Sequence, residues 1–325
     1  MKAAVYTAQG MALQDVPVPR PGPQQVLVKL RAIGLNRADL AIASGHAHGA
    51  VGGIGAIPGL EGAGEIVECG AEVPKSFQPG MRVMGGMGSS YAEYAVTDWG
   101  RLHAVPDTNM PWEVAATLPV ALQTMHDAVV THGLCAPGKA VMIQGASSGV
   151  GLMGLQIAKL MGATTVVGTS TNPQKRARLH EFGATLAVDT NDPGWVKQVL
   201  DATGGRGVDS VVDQISGPLV SQTLAATAIL GRIVNVGRLG GFKAEFDFDL
   251  HAARRITYVG VTFRTRSVEE VREIVRRARA DLWPALEAGK LALPIDKVFH
   301  LDQVVEALAR MKANQHFGKI AMVTG

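Results

Sequence analysis

The residues with the clearest chemical content lie between Val141 and Gly151, VMIQGASSGVG, and lead into LMGLQIAKLMGA and TTVVGTS. Ala140 to Gln144 are mostly apolar, as a parallel strand covered on both faces requires. The turn from Gly145 to Gly151 then opens a run in which Leu152, Leu155, Ile157, Ala158, Leu160 and Met161 recur at helical spacing. Thr164 to Thr169 closes the unit as a second strand. A helix N-terminus offers unpaired N–H groups and the positive end of its dipole, which favours a phosphate over the turn. Glycines there let backbone approach a diphosphate and let helix pack on strand. The alternative is a glycine turn that only reverses the chain. The flanking strand, helix and second strand favour a dinucleotide held by Gly145, Ser148, Gly149, Val150 and Gly151.

The end of the second strand bears on which dinucleotide. An NAD site usually has Asp or Glu about 20 residues beyond the glycines, on the ribose hydroxyls. Here the strand ends Gly168-Thr169-Ser170-Thr171, with Lys175 and Arg176 in the next helix. No carboxylate stands there to repel a 2′-phosphate, while Ser170 and Lys175 offer a hydroxyl and a cation. NADPH is the expected cofactor. Arg176 reads as an ordinary solvated helix position.

Around this unit, 325 residues are enough for two domains and a sizeable core. A hydrophobic share of 47% and 39 glycines fit a tightly turned α/β enzyme rather than a disordered chain. A net charge of +3 is too balanced for a nucleic-acid binder. Two cysteines, Cys69 and Cys135, permit no disulfide framework. The start MKAAVYTAQG lacks the apolar stretch of a signal peptide, and no apolar run is long enough to span a bilayer. A soluble cytoplasmic protein with no membrane partner is expected.

Up to about residue 107 short strand patterns alternate with Gly/Pro turns, as in LVKLRAIGL, PGLEGAGEIVECG and PGMRVMGGMG, which suggests a compact β-barrel-like domain. Residues 111–132 turn helical, with Pro111 at the helix start. Residues 138–262 then repeat strand and helix, the pattern of a doubly wound parallel sheet. The tail carries an amphipathic helix, SVEEVREIVRRARA, a second helix over 301–311, and a last strand, GKIAMVTG, expected to return to the first domain. The arginines at 272, 276, 277 and 279 read as a solvated helix face.

GLNRADL (34–40), PGLEGAGEIVECG (58–70), SSYAEYAV (89–96), GASSGVG (145–151), GGRGVDSVVD (204–213) and GKIAMV (318–323) together resemble the medium-chain dehydrogenase/reductase superfamily. Within it the chain is similar to the zinc-independent quinone oxidoreductase (zeta-crystallin-like) group. The resemblance runs nearly end to end. It implies an α/β protein with a GroES-like β-barrel catalytic domain (1–120 and 264–325) and a Rossmann doubly wound parallel sheet (121–263). Zinc members bind metal through a Cys near the position of Asn36 and the His of a GHE triplet. Here the triplet is Gly59-Leu60-Glu61, and leucine cannot ligate a metal. No zinc is expected, and with it goes the Lewis acid that alcohol oxidation would use. His46 and His48 read as solvent-facing loop rather than ligands.

The group implies further site residues. Asn36 matches its substrate-side Asn and Thr124 its Thr beside the nicotinamide; the alternatives are a turn or strand-end cap for Asn36 and a helix-interior hydroxyl for Thr124. Cofactor contacts are implied at strand ends by Gln214 and Ile215, by Val236, Gly237 and Arg238, and by Thr262 and Phe263. Arg238 is a diphosphate ligand, an acidic-substrate ligand or simply exposed. Arg37 and Asp39 are expected to pair. Candidate acids are Tyr91, Tyr94 and His48, with water an equal source of the proton. The glycine-rich loop 44–57 is either a lid or a connection. The implied activity is hydride transfer to a quinone, enone or enal. The alternatives are a carbonyl or acyl-thioester reductase, and an NADPH-binding structural or regulatory protein without turnover. A homodimer is implied by the group alone.

Overall fold

The computed structural model describes residues 1–47, 52–106 and 109–325. The chain divides into two compact units, Met1–Val120 with Phe263–Gly325, and Ala121–Thr262. Phe263, expected to close the nucleotide domain, groups with the first unit. No helix among the described residues is long and apolar enough to cross a membrane.

The first unit contains β1 (Lys2–Thr7), β2 (Gly10–Asp15), β3 (Gln25–Gly34), α1 (Asp39–Ile42), β4 (Glu61–Cys69), β5 (Arg82–Gly86), β6 (Tyr94–Asp98), β7 (Leu102–Ala104) and α2 (Trp112–Thr117). β1 and β2 pair as an antiparallel hairpin. The larger sheet runs β14–β15–β3–β4–β5–β7, with β6 also on β3, where β14 (Ile295–His300) and β15 (Lys319–Val323) come from the tail. β15 lies antiparallel to β3, Ala321 opposite Gly34. The last strand therefore returns to the first domain, as GKIAMV suggested.

The alternation in LVKLRAIGL buries Val28 and Leu30 in one core with Ile66, Val83, Ile320 and Met322. Val304, Ala307, Leu308 and Met311 of α10 (Val304–Lys312) close that core. Their i, i+3, i+4, i+7 spacing is the apolar stripe of a surface helix.

The second unit begins its regular structure in α3 (Pro119–His126), whose first residues belong to the other unit, and a π-helical segment follows over Asp127–His132. The stretch 111–132 is helical as expected, with an interruption between Thr117 and Pro119, because proline lacks the N–H that would continue the ladder. Its six strands are β8 (Ala140–Ile143), β9 (Thr165–Thr169), β10 (Leu186–Val188), β11 (Val208–Asp213), β12 (Thr227–Asn235) and β13 (Thr257–Gly260). They run β10–β9–β8–β11–β12–β13, and every pair is parallel. The crossovers include α4 (Gly149–Leu160), α5 (Pro173–Ala177), α6 (Trp195–Ala202), α7 (Val220–Ala226) and α8 (Phe248–Arg254). The strand order reverses at β8, the switch point where such sheets open a crevice at their carboxyl ends. α8 and β14 have no counterpart in the sequence reading.

α9 (Val268–Glu287) runs longer than the segment SVEEVREIVRRARA and starts in a capping box between Ser267 and Glu270. Arg276 and Arg277 pair with Glu273 on its exposed face. Arg272 departs from the expected solvated role. It binds Asp98 at 2.6 Å and lies 4.7 Å over the Trp99 ring.

The core of the second unit forms around Trp195, fully buried among Val188, Val199, Val208 and Leu224. Trp195→Ala is expected to lower stability by about 3–5 kcal/mol through the cavity it leaves. Chemical denaturation followed by far-UV circular dichroism measures it.

Candidate active site

In the second unit the end of β8 delivers Gln144 and Gly145 to the turn before α4. Gly145 sits at φ +68, a left-handed conformation that suits glycine. Ser148 caps α4, its Oγ accepting the Gly151 N–H at 3.0 Å. A Cβ on Gly151 would fall 2.6 Å from Gly145 O and 2.7 Å from Ala146 Cα. Helix and turn therefore touch backbone to backbone, and the first-turn amides open at the strand end where a diphosphate binds in such sheets.

Neighbouring strand ends brace this turn. The Gln214 amide donates to Gln144 O at 2.9 Å and to Gly145 O at 3.3 Å, and Ser148 Oγ lies 3.3 Å from its oxygen. Gly237 packs so closely that a Cβ would stand 2.6 Å from Gln214 O. Ile215 Cδ1 would meet a Cβ on Gly145 at 3.0 Å. Gly145, Ser148, Gly151, Gln214, Ile215 and Gly237 thus converge. Asp213, before them, is buried and accepts the N–H groups of Ile215 and Ser216 at 2.9 and 2.8 Å. Burial still pushes its carboxyl above the usual range.

At the end of β9, Ser170 Oγ donates to Ser147 Oγ at 3.1 Å. Arg176 is not the solvated residue expected. One of its nitrogens donates to both Ser170 O and Asp189 Oδ2, each at 2.8 Å. A carboxylate does stand near this corner, supplied by the next strand's end, and it is already engaged by a guanidinium. Lys175, in α5, has its backbone N–H capped by Asn172 at 2.9 Å. Val236, Arg238 and Thr262 follow β12 and β13 and are half-buried; Thr124 is half-buried in α3. His48 lies outside the described residues, as does part of loop 44–57. The described C-terminal end of that loop is tied to Tyr6, which receives the Gly55 N–H and donates to Ala56 O.

In the first unit the sequence 34–39 meets Glu61 and Lys319 in the interior. Lys319 donates to Leu35 O at 2.9 Å, Asn36 Oδ1 at 2.9 Å and Glu61 Oε1 at 2.6 Å. Asn36 Nδ2 donates to the same Glu61 oxygen at 2.8 Å, and Glu61 Oε2 accepts the Val120 N–H at 2.8 Å. Arg37 and Asp39, expected to pair, go to different partners. Arg37 turns to Asn314 and Met311 O, while Asp39 Oδ2 accepts from the Asn36 N–H at 2.8 Å and the Tyr91 hydroxyl at 3.0 Å. Both Asp39 and Tyr91 are fully buried. Burial pushes the Asp39 carboxyl up to about 7, against the hydrogen bonds and the Lys319 charge. Tyr91 directs its hydrogen to Asp39 and sits in the core, so it is not exposed as a proton donor. Among the described residues no group of three His, Cys, Asp or Glu could hold a metal ion.

Residues 22–107 match the family described as alcohol dehydrogenase GroES-like domain, and residues 149–279 that described as zinc-binding dehydrogenase. The chain belongs to the medium-chain dehydrogenase/reductase superfamily. A solved NAD-dependent alcohol dehydrogenase is 28% identical with a TM-score of 0.85, each chain covered in full. A quinone oxidoreductase of Pseudomonas syringae pv. Tomato DC3000 is 25% identical with a TM-score of 0.86, again over both whole chains. A highly reducing polyketide synthase of Purpureocillium lilacinum is 30% identical over 91% of this chain, which spans 12% of that synthase.

Within this superfamily member, the sequence reading missed Lys319 and met Glu61 as the last residue of the Gly59-Leu60-Glu61 triplet. The signal was present but thin: a lysine opening an otherwise apolar terminal strand, KIAMV, and a glutamate opening β4. Buried ionisable groups in a strand imply a partner across the sheet, without saying which.

Asp39 has a stability consequence. A carboxyl raised in the folded state binds its proton more tightly there, so its contribution is full below about pH 4 and declines up to about pH 7. Asp39→Asn is expected to remove that decline and gain up to a few kcal/mol over the parent at pH 8. Melting temperature against pH for both proteins checks it; parallel curves would contradict it.

Proposed function

We propose that this chain is a zinc-independent, NADPH-dependent reductase that adds hydride to an activated C=C bond, as in an enone or enal, or to a quinone. One observation carries the reading. Where zinc members of the superfamily ligate metal, this chain has Leu60 and an amide, Asn36, packed between a buried lysine and glutamate. That donor set suits a developing oxyanion, not a metal ion.

A bound nicotinamide would supply the hydride. The rest falls to the chain. Ser148, Gly149, Val150 and Gly151 present the helix start to the diphosphate. Ser170 and Lys175 take the 2′-phosphate, and Arg176, braced by Asp189, adds a cation at that corner. Gln214 and Ile215 shape the turn, and Val236, Gly237, Arg238, Thr262 and Phe263 line the remaining strand ends. Thr124 orients the nicotinamide and Asn36 donates to the acceptor's oxygen. Water protonates the product carbon. A homodimer is carried by the group resemblance, and a reducing, cytoplasmic setting by the two cysteines with no disulfide framework.

The polyketide synthase relatives favour a second reading, in which the acceptor is an acyl thioester. The test follows NADPH consumption with 2-alkenals, small enones, quinones and short 2-enoyl thioesters. Turnover with one class selects between the readings. Thermal stabilisation by NADPH without turnover of any of them would reject both and leave a binding protein.

Ser170→Asp is expected to lower the kcat/KM ratio of NADPH over NADH by about tenfold, by placing a carboxylate against the 2′-phosphate. An unchanged ratio would remove Ser170 from that corner.

A further inference from the structure

The amide of Asn36 sits between buried charges of opposite sign, and their chemistry settles which way it faces. An ammonium can only donate, so the atom 2.9 Å from Lys319 Nζ is the amide oxygen. An ionised carboxylate can only accept, so the atom 2.8 Å from Glu61 Oε1 is Nδ2. Rotating the amide by half a turn would set donor against donor and acceptor against acceptor.

Lys319 has a partner for each hydrogen, so it is itself held still. The backbone of Asn36 is held separately, through its N–H to Asp39. Gly34 completes the arrangement: a Cβ there would lie 2.5 Å from Glu61 Oε1, in the space the carboxylate occupies. One Nδ2 hydrogen goes to Glu61. The other has Gly34 O at 3.4 Å, too long for a strong bond. Asn36 keeps 8% of its surface exposed, while Glu61 is fully buried.

We propose that Lys319 is a positioning residue: with Glu61 it locks the Asn36 carboxamide in the one orientation that leaves an N–H available to the oxygen of the hydride acceptor. The inference rests on the proposed function, in which Asn36 is that donor. Lys319 itself is 3% exposed, and its three hydrogens are taken up within the protein.

Removing Lys319 alone would strand the Glu61 charge, so the test replaces both, as Lys319→Met with Glu61→Met. Apolar pairs commonly substitute for buried ion pairs without loss of fold. The double variant is expected to bind NADPH within about twofold of the parent. Its kcat is expected to fall by about 100-fold, with a smaller change in the KM of the acceptor, the loss typical of one missing oxyanion donor. Lys319→Arg, which keeps charge and donors, is expected to retain most of the activity. If the double variant does not fold, Lys319→Gln with Glu61→Gln gives the same reading without a stranded charge, since amides there can face Asn36 either way. Its unchanged kcat would overturn the proposal.

Two readouts separate positioning from general support. The side-chain NH2 resonances of Asn36 in NMR spectra are expected to be distinct and solvent-protected in the parent, and averaged in the variant. In a double-mutant cycle, Asn36→Ala is expected to cost about 100-fold in the parent and almost nothing in the Met/Met background. Equal costs in both backgrounds would sink the clamp. Full turnover by Asn36→Ala with protected parent resonances would instead sink the assignment of Asn36 as donor, and so the proposed function on which the inference stands.

Discussion

An ammonium and a carboxylate removed from water must face each other, and the interior of the first unit is arranged around that requirement. Lys319 and Glu61 are 258 positions apart in sequence and 2.6 Å apart in space. Their meeting needs the last strand to lie beside β3, in the register that sets Ala321 opposite Gly34. It also needs Gly34, since any side chain there would displace the carboxylate. A buried ion pair is weak evidence of stability, because desolvation offsets most of the attraction. It is stronger evidence of geometry: an unpaired charge is so costly that the competing arrangements are depopulated. Asn36 inherits that geometry from its two charged neighbours.

The second unit solves a different problem, exposing backbone amides while keeping them rigid. Its side chains near the turn bond inward: Gln214 to the carbonyls of Gln144 and Gly145, Ser148 to the helix start, Asp213 to the amides that follow it. What remains at the strand ends is backbone and glycine, suited to a ligand bearing phosphates. The corner at the end of β9 is built from Ser147, Ser170, Arg176 and Asp189, with the guanidinium holding two strand ends together. A cation neutralised by a carboxylate attracts an anion less than a bare one, so Arg176 and Asp189 together moderate the charge there.

In the proposed function the two units divide the chemistry of a hydride transfer. There the parallel sheet would hold phosphates by dipoles and backbone N–H groups, which tolerate many side chains. The other unit carries Leu60 and Asn36, the residues on which the proposed choice of acceptor rests.

The amino-acid sequence by itself determined the local elements and their order. The glycine turn between an apolar strand and a period-3.6 helix was legible, as were the parallel strands, the alternation in β3 and the terminal strand's return, because these signals repeat over a few residues. Helix ends were less legible. Pro119 interrupts a pattern that reads as continuous, and α8 and β14 are too weakly patterned to stand out. Only the tertiary structure decided the partners of the charged residues. Arg37 and Asp39, two positions apart, bond to different segments; Arg176 reaches Asp189 instead of solvent; Lys319 finds Glu61 across most of the chain. A side chain's period along an element shows whether it faces inward. Which opposite charge meets it there depends on strand register across the sheet, and that is set by the whole core at once.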